Sequence, residues 1–223
     1  MKRDPLKATV LATRYIPNAT QKMVQDLITA GGIIEYDPQR HRSLALLTAD
    51  CDDVTYTALD EATKKADVDV IYAHSFYAGA ANANTKLAGE IIGVLAGPNP
   101  AEARAGLEAA DFIENEAHFV SANDDDSIPY YAHCISRTGS YLSSTNGIKE
   151  GEALAYLIAP PLEAMYALDA AIKAADVTIV ALYNPPSETN FGGGLLTGSQ
   201  SACKAACNAF AEAVEAVAAN PLV

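Results

Sequence analysis

Between Ala164 and Ala175 the apolar residues recur at spacings of three and four, so that Ala164, Ala167, Leu168, Ala171, Ile172 and Ala175 share one helical face. The helical period stops at Asp176. Val177 and Ile179 then alternate, with Val180 and Ala181 continuing the apolar run, and β-branched residues of this kind favour a pleated strand. The same passage from helix to strand occurs earlier in the chain. Ala58 to Val68 matches Ala167 to Val177 at eight of eleven positions, at an offset of 109 residues. LALL at Leu44–Leu47 and LAYL at Leu154–Leu157 predict a strand feeding each helix. Leu-x-Gly at Leu95 and Leu196 predicts a later strand in each copy, followed by Ala-rich helices from Ala101 and from Ala202. The predicted unit is strand, helix, strand, loop, strand, helix, present twice.

Each copy is preceded by one more predicted strand, Ala8–Ile16 in the first half and Tyr130–Ser136 in the second. A short helix from Thr20 to about Thr29 follows the first. Gly31-Gly32 and Asp37-Pro38 then make the connection irregular. Around Asp111–Asn123 a helical stretch gives way to a polar loop, and Arg137–Ser140 and Asn146-Gly147 read as punctuation. The pattern predicts an α/β (α+β) protein of two similar domains, 1–110 and 111–223, each a small antiparallel sheet with flanking helices.

Composition narrows the classes of function. Half of the 223 residues are hydrophobic and Trp is absent, which suits thin layers packed through small side chains. A net charge of −13 argues against wrapping nucleic acid or lying on an anionic membrane, since both need clustered Lys and Arg. The amino terminus lacks an apolar run of signal-peptide length, and no window approaches the roughly 18 apolar residues of a spanning helix, so a cytosolic location is expected. Cys51, Cys134, Cys203 and Cys207 show no CxxC spacing; Cys203 and Cys207, four apart on a predicted helix, either pack inward or share a metal face.

Conventional catalysis finds little support. His41, His74, His118 and His133 are scattered, and there is no HExxH or GxSxG signature. Gly193 and Gly198 have the spacing of a phosphate-binding loop, but Ser199 stands where Lys is required, so a mobile glycine loop is the expectation there. Asp50-Cys51-Asp52-Asp53 reads first as a helix start, where acids complement the positive end of the dipole.

Several long runs carry a resemblance. They are TADCDDVTYTALDEATK from Thr48, LAGPNPAEARAGL from Leu95, SRTGSYLSST from Ser136, YLIAPPLEAMYALDAA from Tyr156 and LLTGSQSACKAACNAF from Leu195. Together they resemble the bacterial microcompartment shell proteins of the circularly permuted tandem class, and within it the L-type proteins of ethanolamine-utilisation compartments. The resemblance is weakest between about Ile28 and Arg42, and His74 stands where an arginine is usual.

The resemblance implies a structural, non-enzymatic protein: a homotrimer whose six domain copies imitate a hexagonal tile and pack with other shell proteins around an enzyme-filled compartment. It implies a small pore binding ethanolamine at Asp52, Asp53, Glu90, Phe119, Thr189 and Asn190, where carboxylates would attract the ammonium and the Phe119 ring would lie against it. It implies a larger pore on the threefold axis, gated by loops holding His74, Tyr77, Gly192 and Gly193. No cofactor is required; relatives take up metal or cobalamin at the central pore, and no residue here is assigned to either. The alternatives are a soluble small-molecule-binding regulatory protein that never tiles, or a tile of a choline or ethanol compartment.

Overall fold

The computed structural model describes residues 5–75, 91–185 and 190–222. In chain order the elements are β1 (Pro5–Lys7), β2 (Val10–Ile16), α1 (Gln21–Gly31), β3 (Ser43–Ala49), α2 (Asp52–Lys65), β4 (Asp69–Ser75), β5 (Ile91–Gly97), α3 (Pro100–Gly106), α4 (Ala109–Asn115) and β6 (His118–Ser121). There follow β7 (Pro129–Ile135), α5 (Ser140–Thr145), β8 (Ala153–Ala159), α6 (Pro161–Ala174), β9 (Val177–Tyr183), β10 (Gly192–Gly198) and α7 (Gln200–Ala219). They gather into two compact units. One holds residues 7–117 with 139–145, the other residues 1–6, 118–138 and 146–223.

In the first of these units the sheet is antiparallel and ordered β2-β3-β5-β4. Successive residues of a strand point to opposite faces, and both faces are used. Leu44, Val94, Ala96 and Ile71 pack against Val24 and Ile28 of α1. On the other face α2 approaches Gly93 so closely that a side chain there would stand 2.9 Å from the Leu59 methyls. α1 ends where Gly32 takes φ +63°, a left-handed conformation open to glycine, and its N–H returns to the Ile28 carbonyl at 2.9 Å.

The other unit repeats this plan. β7, β8, β10 and β9 lie in the corresponding order and are antiparallel, extended at one edge by β6 and β1. α6 and α7 cover one face through small residues: Ala155 and Leu157 of the sheet meet Ala164, Ala167, Ala171, Cys203, Ala206 and Phe210. The mixed α/β architecture and the paired antiparallel sheets expected from the sequence are present.

Four elements differ from the sequence expectation; one is α5, a helix over Ser140–Thr145 where only punctuation was expected. β6 forms where a helical stretch was expected to pass directly into a loop. The helix expected from Ala101 is broken into α3 and α4 near Gly106 and Leu107. The run Gly192–Gly194, expected as mobile loop, is buried strand paired with Ala159, Ile158 and Leu157. Gly193, at φ +150°, lets the backbone lie against β8 where a Cβ would meet the Leu157 carbonyl. Without side chains to alternate, glycine strands carry no period by which a sequence reading could find them.

A buried carboxylate organises residues 139–145. Asp60 on α2 has no solvent exposure and accepts hydrogen bonds from the Gly139 N–H at 2.7 Å and the Leu142 N–H at 2.8 Å. The Ser140 N–H donates to Thr63 Oγ1 at 3.1 Å. Burial raises the Asp60 pKa, and the two amide hydrogen bonds oppose that rise.

The irregular connection before β3 is held to β4 by a second carboxylate. His41 is buried and its Nδ1 accepts from the Asp37 N–H at 3.0 Å, which leaves Nε2–H to donate to Asp69 Oδ2 at 3.1 Å. Arg40 bonds the same carboxylate and pairs with Asp67 at 2.8 Å. Burial pushes the Asp69 pKa up, but the hydrogen bonds from His41 and Arg40 outweigh it and hold the group below the ordinary value. A depressed carboxylate pKa stabilises the fold above the unfolded-state value of about 3.9, and that contribution is lost as pH falls through the lower folded-state value. Asp69→Asn is therefore expected to cost about 2 kcal/mol in urea unfolding at pH 7. The gap from wild type should close as the pH is lowered below about 4; a gap that stays constant to pH 2 would contradict the assignment.

Candidate functional site

β3 delivers the chain into α2 through Asp50 and Cys51. Asp50 Oδ1 accepts from the Thr9 N–H at 2.6 Å, fixing the turn, and Cys51 occupies the N-cap without a side-chain cap. Asp52 and Asp53 therefore occupy the first turn, where the helix dipole favours negative charge. Each is only 8% exposed, and the Asp53 N–H donates to Asp52 Oδ1 at 2.9 Å. Two carboxyl groups, both nearly buried, therefore stand on the first turn of α2.

One turn along the same helix stands Tyr56, which the sequence reading did not single out. Its hydroxyl accepts from the Ser75 N–H at 3.1 Å. Burial raises its pKa, and the charges of Asp52 and Asp53 add to the rise, so both carboxylates act on this phenol. The three- and four-residue spacing from Asp53 and Asp52 was the available signal.

In the other unit Phe119 is half-buried on β6, stacked on Tyr131 with centroids 5.1 Å apart and met edge-on by Phe191 at 6.2 Å. Asn190, exposed and at φ +65°, immediately precedes Phe191. The structure thus brings Phe119 to the residue following Asn190. Of the pore-gating candidates, His74 lies exposed near the end of β4, its ring 6.1 Å from that of Tyr72, while Gly192 and Gly193 open β10. Glu90, Thr189 and Tyr77 lie outside the described residues.

Two of the four cysteines pack inward, while Cys51 and Cys134 are half-buried. Cys203 and Cys207 are buried in the α6–α7 core, and Cys203 Sγ lies 3.8 Å from the Leu196 carbonyl. Among the described residues no group of three or more His, Cys, Asp or Glu is placed to hold a metal ion. No described helix is long and apolar enough to cross a membrane.

Residues 159–222 match the BMC domain model. The chain is 66% identical over 223 residues, 100% of its length and 99% of the relative's, to the bacterial microcompartment shell protein EutL of Clostridium perfringens. It is 52% identical over 220 residues, 98% of this chain and 97% of the relative, to the protein of the same description from Escherichia coli. Among solved structures, the ethanolamine utilization protein EutL from Leptotrichia buccalis superposes with a TM-score of 0.91 at 73% identity, covering 100% of both chains.

Burial pushes the Cys207 thiol up to about 12, and desolvation likewise raises Cys203. Since the thiolate is the reactive form, both should resist a chromogenic disulfide reagent at pH 8 in the native protein and react once denaturant is added. Rapid native labelling of all four cysteines would contradict this packing.

Proposed function

We propose a function on the premise that this chain belongs to the EutL family of bacterial microcompartment shell proteins. It is a structural tile of the shell of an ethanolamine-utilisation compartment. Three copies associate into a pseudohexameric unit that packs beside other shell proteins and passes small metabolites through pores. The sequence halves 1–110 and 111–223 each contribute one permuted domain, with residues 1–6, 111–117 and 139–145 falling in the compact unit of the other half. Six domain copies then generate two alternating kinds of edge and pore, which six copies of one identical domain could not.

The observation that carries the pore reading is the nearly buried pair Asp52 and Asp53 at the start of α2. Ethanolamine is a cation at neutral pH, and a carboxylate pair that concentrates negative potential at a constriction selects cations by charge and excludes large solutes by diameter. The resemblance assigns Glu90, Phe119, Thr189 and Asn190 to the same pore, and His74, Tyr77 and the chain before β10 to the gate of a larger one. The aspartates carry the proposal. It assigns no catalytic reaction and no cofactor to the chain.

Calorimetric titration with ethanolamine tests it. Wild type should bind, and Asp53→Asn should weaken binding at least tenfold, about 1.4 kcal/mol. Ethanol, which lacks the ammonium, should give no saturable heat. Equal affinity for wild type and variant, or no heat with either, would remove the aspartate pore.

A further inference from the structure

We propose that Cys134 is a site of thiol–disulfide exchange with small disulfides, resolved by the paired thiols of α7 into an internal bridge that ties β7 to that helix. The site is independent of the pore reading above.

Strand register brings the three sulfurs together. Side chains alternate along β7, and Tyr131 and His133 share one face, their rings stacked 5.4 Å apart. Tyr130, Ala132 and Cys134 point to the other face and pack in the core that α7 closes. Cys134 Sγ lies 3.9 Å from the carbonyl oxygen of Gln200, the first residue of α7. Cys203 and Cys207 follow at i+3 and i+7, spacings that return to the same side of a helix. Across the sheet Cys134 faces Ala155 of β8, which belongs to the same buried cluster as both α7 thiols. Access is unequal. Cys203 and Cys207 are 0 and 3% exposed, whereas Cys134 is half-buried, so a dissolved reagent meets Cys134 first.

The first repeat makes the same contact without sulfur. Tyr15 faces Ala45 where Cys134 faces Ala155, and the two alanines hold the same place in LALL and LAYL. Aligning the N-caps Asn99 and Ser199 places Ala103 on Cys203 and Arg104 on Lys204. Arg104 lies over the Tyr15 ring, 5.2 Å from its centroid. Lys204 acts on Cys134 from the equivalent position: burial raises that thiol, and the lysine charge opposes the rise. A phenol and a methyl group in one repeat are thus two thiols in the other, with a cation kept beside the outer one. The cation favours the thiolate, which is the attacking form.

The exchange has two steps. The Cys134 thiolate attacks one sulfur of the small disulfide, forming a mixed disulfide and expelling the other half as a thiolate. An α7 thiol then gives up its proton and attacks the Cys134 sulfur, expelling the second half. Two protein thiols are oxidised, the small disulfide is reduced to two thiols, and the two cysteine protons end on those products. Burial raises both α7 thiols, so the second step is slow. Uncatalysed disulfide rearrangement takes minutes to hours, which outlasts a brief labelling assay. The buried thiols therefore need never meet the reagent themselves.

Incubating the full chain with glutathione disulfide at pH 8, followed by tryptic mass mapping under non-reducing conditions, tests the proposal. Cleavage after Arg104, Arg137, Lys173 and Lys204 puts Cys134 in residues 105–137, Cys203 in 174–204 and Cys207 in 205–223, so each pairing has its own mass. Wild type should join 105–137 to one of the other two peptides. Cys134→Ser should leave both α7 thiols reduced, and Cys203→Ala/Cys207→Ala should stop at a glutathione adduct on Cys134. A bridge closing about seventy residues should also raise the melting temperature by several degrees, reversed by dithiothreitol. A lasting glutathione adduct on wild-type Cys134 with both α7 thiols reduced would overturn the proposal, as would α7 oxidation that persists in Cys134→Ser. Should a variant fail to fold, the wild-type peptide map alone decides.

Discussion

A buried carboxylate must find hydrogen-bond donors or lose its charge, and on α2 the donors come from far along the chain. Asp60 takes the amides of Gly139 and Leu142, residues 79 and 82 positions away in sequence. Leaving that group unpaired would cost on the order of 3–5 kcal/mol, a large part of a domain's net stability. Gly139 makes the approach feasible, since a Cβ there would stand 2.6 Å from the Asp60 carbonyl oxygen. Residues 139–145 are held to the first repeat's helices by this pairing, and the compact units consequently do not follow the sequence halves.

The same economy of parts shapes the region assigned to function. α2 uses its first turn for Asp52 and Asp53, its middle for the Asp60 clasp, and its opposite face for core packing through Ala58, Leu59 and Ala62. Duplication freed α6 to differ. Leu162 replaces Asp53 and Tyr166 replaces Thr57, while Asp169 and Lys173 are retained. Two copies of one helix thus present a polar, carboxylate-lined start in one unit and an exposed apolar stripe in the other.

Much of this was legible in the chain. The 109-residue echo identified both helices and their following strands, because helical and strand periods survive in apolar spacing. The strands before each repeat were placed to within about two residues. α5 was not legible: its Ser-rich sequence has no apolar period, and its position depends on a carboxylate remote in sequence. β6 was hidden because it is only four residues long, too short to show a strand period. Of the candidate site, the acidic pair could be read as a helix start from its residues alone; its assignment to a pore came through family resemblance. Tyr56 escaped because its significance lies in the hydrogen bond to Ser75, a contact that sequence spacing does not display.

Hydrogen exchange on the intact protein tests the central role of the Asp60 clasp most directly, by comparing wild type with Asp60→Ala. The account predicts that the peptide covering residues 139–145 loses at least a hundredfold in protection while β3 and β5 remain the slowest-exchanging strands. Unchanged protection of 139–145 in the variant would mean that this carboxylate does not hold the crossing segment in place.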